Sequence, residues 1–403
     1  MLEKGPQRQN YVLRCYQRLS LMFILSIEGR RGRITSLQFC FIALLMVMSL
    51  STCSWRLNPA SLGTTVVAVP GGEGGIEFGD MQYDASLGKV LVPAGGTATL
   101  DLIDPDTLEI RGIAVSSTGR QDLPGAHGEG TTSVTAAHGF LYATDRTTLQ
   151  VHVIDPRLAT IVGAAAVTST PDCVRYVTRT NELWVTEKSL EQIEVFKLTS
   201  GETPVPVRDG LISVPNGPES LLIDEASGHA YTNQPKVGVT AVIDVATRSI
   251  VAQWGNGCSA ARGMAMDKER GYLFIACNEG KLVMLDARKD GRHIASENFG
   301  GGIDAVGYNP RLAHVYLPSG KSGLLAIFAV TPTPSTPTPG APISAPEPTP
   351  SPTVTDRLVR LGTADTAAHA RCVTDDDRGN IWVCDPDNGR VLLIKDTFPP
   401  DKP

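Results

Sequence analysis

Seven charged side chains recur near one phase of this 403-residue sequence, and their types and spacing could do chemistry. Asp172, Glu219, Arg262, Asp304 and Arg371 each open an apolar segment of similar pattern, with Asp80 and Arg175 close by, Asp80 one place out of register. Four carboxylates and three guanidiniums brought onto one ring could chelate a cation, clamp an anionic ligand, or neutralise one another in pairs that lock the ring. Calcium is the ion such carboxylates could hold, and no cofactor is identified. The sequence has no GxSxG, CxxCH or P-loop segment and no CxxC, so a nucleophile elbow, a haem attachment site, a nucleotide cradle and a zinc ribbon lack support. Its seven histidines stand one at a time, without metal-ligand spacing. They read mostly as surface or turn residues, with His127 and His369 in loops that could face the ring. The acidic runs Asp375-Asp376-Asp377 and Asp385-Pro386-Asp387-Asn388-Gly389 lack the remaining ligands of a calcium loop and read as β-turns.

The elements that must carry these residues are repeats. Glu219, Arg262 and Asp304 stand 43 and 42 residues apart. Asp172 precedes Glu219 by 47, and Asp80 precedes Asp172 by 92, two such steps. Each unit reads as three or four short strands: Arg262-Gly263-Met264-Ala265-Met266-Asp267, then Gly271-Tyr272-Leu273-Phe274, then Leu282-Val283-Met284-Leu285-Asp286. Strands of that length, broken by Asp-Pro, Ser-Gly and Arg-Gly turns, have the spacing of propeller blades. Gly at 40 and Pro at 28 residues agree with a turn-rich all-β chain. Counting from Ile76 gives seven units. The last lacks a fourth strand, and Thr64 to Val69, ahead of the first unit, lacks partners. Ring closure solves both: the N-terminal strand completes blade seven and removes two exposed edges.

Between Asp304 and Arg371 the step grows to 67 residues, and Thr331 to Thr353 holds nine prolines and six threonines. Such a stretch favours extended polyproline II and cannot bury a core. It reads as a solvated loop, residues 331–353, inserted in blade six, inside a propeller domain spanning residues 64–397 and followed by a tail, 398–403. Blade two offers only Glu129 and Gly130 at the ring position.

Ahead of the propeller lies an address. Arg30, Arg31 and Arg33 precede an apolar run from Phe39 to Leu50, too short to span a membrane and right for a secretory signal. The run closes in Leu50-Ser51-Thr52-Cys53, which resembles a lipobox with Thr52 where a smaller residue is usual. Residues 1–53 are read as leader, Cys53 as the lipidated residue and 54–63 as a tether. That implies an extracytoplasmic protein held at a bacterial membrane or envelope. The unusual length ahead of Arg30 reads as a start codon assigned too far upstream. Cysteine usage agrees with export. With Cys15, Cys40 and Cys53 in the leader, five remain: Cys372 and Cys384 sit opposite each other about a tight turn, Cys258 and Cys277 flank the corresponding turn of an earlier blade, and Cys173 is left over. Two disulfides are expected. With 36 Lys and Arg against 42 Asp and Glu, the net charge of -6 implies no nucleic-acid face.

The repeated endings Leu102-Ile103-Asp104-Pro105-Asp106-Thr107, Val153-Ile154-Asp155-Pro156 and Val242-Ile243-Asp244-Val245-Ala246-Thr247 resemble the YVTN-type β-propeller repeat family, which is related in shape to NHL and lactonase-like propellers. The resemblance covers residues 64–397 and implies a seven-bladed fold more firmly than a function. It implies a channel mouth lined by the residue that opens each innermost strand. A lactonase-like propeller would place a Glu, an Asn and an Asp about a divalent metal there, and Glu219, Asn216 and Asp304 are the residues available. The leading expectation is a monomeric, exported binding or scaffolding module with a protein or small-molecule ligand on its loop face; the alternative is a metal-dependent hydrolase.

Overall fold

The computed structural model describes residues 60–115, 130–332 and 356–400. The leader with Cys53, most of the tether, His127, Glu129, nearly all of the Pro/Thr loop and the last three residues lie outside the described residues. What is described is a ring of seven sheets, antiparallel except for one added strand, six of four strands and one of five. Among these residues no helix is long and apolar enough to cross a membrane.

Blade four shows the unit: Glu219–Asp224 innermost, then His229–Gln234, Val239–Asp244 and, outermost, Ser249–Gly255. Two Asp positions punctuate it, and they explain the repeated endings. At the close of a third strand, Asp104, Asp155, Asp244 and Asp286 each accept a backbone N–H two or three residues on, from Thr107, Arg157, Thr247 and Arg288. At the close of a first strand, Asp84, Asp224, Asp267 and Asn309 do the same toward Leu87, Ala226, Arg270 and Leu312. A side chain that satisfies its own turn's donors fixes where the strand stops.

Burial follows position in the blade. The second strands of blades two, three and six (Phe140–Asp145, Glu182–Glu187 and His314–Ser319) are buried at every residue, because neighbouring blades cover both faces. Outermost strands such as Ser249–Gly255 alternate instead, one side to the neighbour and one to water. Tyr142, Val151 and Val153 of blade two pack on Val174, Leu183 and Val185 of blade three, and each seam repeats that sandwich. Each fully buried Val or Leu contributes about 1.5–3 kcal/mol, so the seams hold the ring together.

Closure occurs as the sequence implies. Thr64–Ala68 pairs antiparallel with Arg390–Lys395 and is the outermost strand of blade seven. A second contact has no precedent in the repeat pattern: Ala60–Leu62, within the stretch read as tether, pairs parallel with Asp356–Asp365 and becomes the fifth strand of blade six. The N-terminal segment thus bridges two blades. Leu324–Pro332 and Asp356–Asp365 pair antiparallel to each other, so the Pro/Thr segment joins the third and fourth strands of blade six.

Both expected disulfides are present, Cys258–Cys277 and Cys372–Cys384, with Cα separations of 5.4 and 5.5 Å. Cys173 is free and buried, and burial pushes its thiol up to about 12, which makes it inert.

The charged channel mouth

The connections from second to third strands and from each blade to the next surround one end of the central channel, a cavity of about 910 Å³. All seven ring residues line it: Asp80, Asp172, Arg175, Glu219, Arg262, Asp304 and Arg371. At blade two the position is Gly130, with φ of 76° and Gly95 so close that a Cβ would come within 2.6 Å of its carbonyl oxygen. Only glycine fits there.

The structure also supplies residues that alignment of the inner strands does not show. Arg146 and Lys188 each follow the last residue of a second strand, in blades two and three, and both line the mouth. The corresponding positions of blades one, five and six, Gly95, Asn278 and Gly320, line it too. That shared position was the available signal: any charge at the residue after a second strand projects to the same rim.

Together these groups form a continuous ionic chain across four blade seams. Arg146 pairs with Asp172. Lys188 lies 2.9 Å from Asp172 and 2.8 Å from Glu219. Arg262 lies 3.1 Å from Glu219 and 3.7 Å from Asp304. On the other side Arg371 meets Glu77 at 2.7 Å and Arg175 meets Asp80 at 3.6 Å. Burial draws protons off Lys188, but Asp172 and Glu219 outweigh it and hold the ammonium above its ordinary value. Glu219 is displaced the other way. Its burial, aided by the charge of Asp172, raises the carboxyl above the ordinary range against the pull of Lys188. Both directions hold because Glu219 is the more enclosed partner, 11% exposed against 40% for Lys188. Asp80 is raised as well, by its enclosure within the channel walls first, with Arg175 opposing and Asp172 adding, although 48% of its side chain is open to channel water and weakens the effect.

Deeper in the lining, Asp375 of blade seven is pushed up to about 8, by burial foremost; a hydrogen bond with Asn309 opposes this, and Asp376 and Asp377 add to it. The folded state therefore keeps a proton that the unfolded chain loses near its ordinary value of 3.8. Stability from this group is full below about pH 4 and is lost as pH rises toward 8. Asp375→Asn should leave stability unchanged at pH 4 and raise it by about 2 kcal/mol at pH 8, discounted for channel water. Urea unfolding at the two pH values checks this, and equal effects at both would refute it.

The metal-hydrolase arrangement does not assemble. Glu219 is held between two cations. Asn216 is not among the cavity's lining residues, and its backbone bonds to Glu191 instead. Among the described residues the one cluster of three ligand-type groups is Cys258, Cys277 and Glu279, whose cysteines are joined to each other. The two acidic runs are turns: Asp376 accepts the backbone N–H groups of Arg378 and Asn380, and Asp385 accepts from Asn388 and Arg390. His369 does face the mouth, its Nδ1 2.9 Å from Asp387. His314 is a correction to the surface reading of the histidines. It is fully buried, with its Nδ1 2.7 Å from Asp396, a carboxylate that also accepts from Tyr316.

No protein-family model matches the chain, and no curated protein matches it. Solved structures do. A chain in the crystal structure of a mitotic checkpoint complex superimposes with a TM-score of 0.62 at 12% identity, covering 86% of this chain and 99% of that one. Hydrazine synthase of Kuenenia stuttgartiensis gives 0.61 at 13%, covering 85% and 99%. Virginiamycin B lyase from Staphylococcus aureus gives 0.60 at 10%, covering 83% and 99%. At such identities the likeness extends to the fold alone, and what it establishes is a seven-bladed β-propeller.

Proposed function

We propose that this chain is an exported propeller of the YVTN type, anchored at the cell envelope through Cys53, that acts as a binding module and takes its ligand at the channel mouth. The observation that carries the reading is the mouth itself: an open cavity most of whose charges are already fixed by one another. Groups held in place before a ligand arrives lose little entropy on binding, and that is what a recognition surface needs. Two disulfides suit an oxidising compartment.

The test is a thermal-shift titration of the whole chain with calcium, zinc, sugar acids and lactones, with and without chelator. A ligand at a hundred times its Kd adds about 2.7 kcal/mol, a rise of roughly 4 °C for a chain of this size. That rise should disappear in Asp304→Ala. A ligand whose effect survives that change binds elsewhere, and steady turnover of a lactone would replace the binding reading with the hydrolase.

A further inference from the structure

At two seams of the ring, a cation at the second-to-third turn of one blade meets a carboxylate that opens the next. Arg146 of blade two meets Asp172 of blade three, and Lys188 of blade three meets Glu219 of blade four. At the seam of blades six and seven the arrangement differs. Blade six carries Lys321 on this turn, and blade seven opens with Arg371, with His369 two residues before it. No carboxylate opens blade seven, and Asp387, on that blade's own second-to-third turn, is held by His369. Arg371 turns to Glu77 of blade one. The Lys321 ammonium has no ion-pair partner among the described residues, although it lines the same cavity.

The seating of Lys321 is specific. Its stem lies across Gly301 and Gly302, where a Cβ would approach its Cδ and Cγ to 3.2 Å. Its backbone N–H donates to Gly301 at 3.0 Å, and the His369 N–H donates to Gly320 at 2.9 Å, tying the two loops together. A Cβ on Gly320 would lie 3.1 Å from the His369 Cα. Glycines here keep the sector clear of side chains, so the cations stand beside open space.

We propose that this sector, Lys321 with Arg371 and His369, binds the oxyanion of a small ligand, a carboxylate or a phosphate group, which gives the Lys321 ammonium the ionic partner it lacks. An oxyanion accepts several charge-assisted hydrogen bonds at once, and planar guanidinium beside mobile ammonium suits either group. The proposal rests on the mouth being the ligand site and narrows it to one sector and one ligand class.

The test is isothermal titration calorimetry on the whole chain at low ionic strength, with inorganic phosphate and D-glucuronate as separate probes. One or both should bind at one site per chain, the probe that binds identifying the group recognised. Lys321→Met should weaken that binding at least tenfold with the melting temperature unchanged, since the side chain is exposed and has no ionic partner to orphan. Lys289→Met, in the third-to-fourth turn of blade five on the opposite face, should not change it. Equal weakening by both variants would mean diffuse charge attraction and overturn the proposal. Binding that survives Lys321→Met but is lost in Arg262→Gln would overturn it while leaving the mouth as the ligand site. Absence of binding by either probe would overturn it as well, and the wider panel of cations and lactones would then decide the mouth reading separately.

Discussion

Lys188→Met is expected to lower the unfolding free energy by about 2 kcal/mol near neutral pH, and the melting temperature by roughly 3 °C. The ammonium bridges Asp172 and Glu219, both largely enclosed. Removing one partner of a buried pair costs about 3–5 kcal/mol when the remaining charge is stranded. Here the loss is smaller, because Lys188 is 40% exposed and Arg146 and Arg262 remain beside the two carboxylates. The pH dependence separates this cause from lost packing. In the parent the Lys188 ammonium is held above its ordinary value and stays charged throughout the acid and neutral range, so its contribution there follows the ionisation of the carboxylates it faces. In the variant, Glu219, already raised by burial, loses one of its two cations and its folded value rises further. Stability then falls as pH climbs through that window, so the deficit should be near zero at pH 4 and full at pH 8. A deficit of equal size at both would point to packing.

The same reasoning gives the opposite result for the partner. Glu219 is already raised above its ordinary range, mainly by burial, so a neutral side chain suits the folded state better there than in water. Glu219→Gln should stay within about 0.5 kcal/mol of the parent. Cost therefore falls on the cations of the ring and not on this carboxylate. Thus a ligand that brings negative charge to the ring meets cations able to accept it, which is the chemistry inferred at Lys321.

Fold and ring were legible in the sequence for one reason: each blade repeats both its apolar core and the Asp that stops its strands. Asp104, Asp155 and Asp244 mark third-strand ends because their carboxylates accept their own turns' N–H groups, a local interaction that sequence carries directly. The openings Asp172, Glu219, Arg262 and Asp304 were legible through the same period. Arg146 and Lys188 were not, because only two of seven blades place a charge after the second strand and no apolar pattern frames it. The strand at Ala60–Leu62 was hidden for a different reason. Three residues in parallel pairing depend on an edge that a distant blade presents, and nothing local announces that. Glu77 lies outside the inner-strand register altogether and is recognisable only once Arg371 comes around the ring to meet it.

Closure of that ring is open to a sharper test. Val66 and Val67 are adjacent on the N-terminal strand and point to opposite faces: Val66 is 49% exposed, whereas Val67 is 6% exposed in a cluster with Val69, Phe78, Trp382 and Val391. Val67→Asp puts an unpaired carboxylate into that cluster, at a cost of about 4 kcal/mol or more unless the strand peels away. Peeling uncovers the edge of Arg390–Lys395, so the variant should both melt at least about 5 °C lower and associate into larger species on gel filtration. Val66→Asp has the same composition and the same β-propensity penalty, yet should change stability by no more than about 0.5 kcal/mol and remain unassociated. If the two variants behaved alike, the strand at Thr64–Ala68 would not be what closes blade seven. If Val67→Asp alone fails, then a single side chain near the start of the propeller controls the integrity of a ring whose last strand lies more than three hundred residues away. The channel mouth depends on that closure, because Arg371 of blade seven and Glu77 ahead of blade one meet across it. A ligand bound at the mouth should therefore stabilise the closed ring, and should lose affinity in Val67→Asp without any change to the residues that touch it.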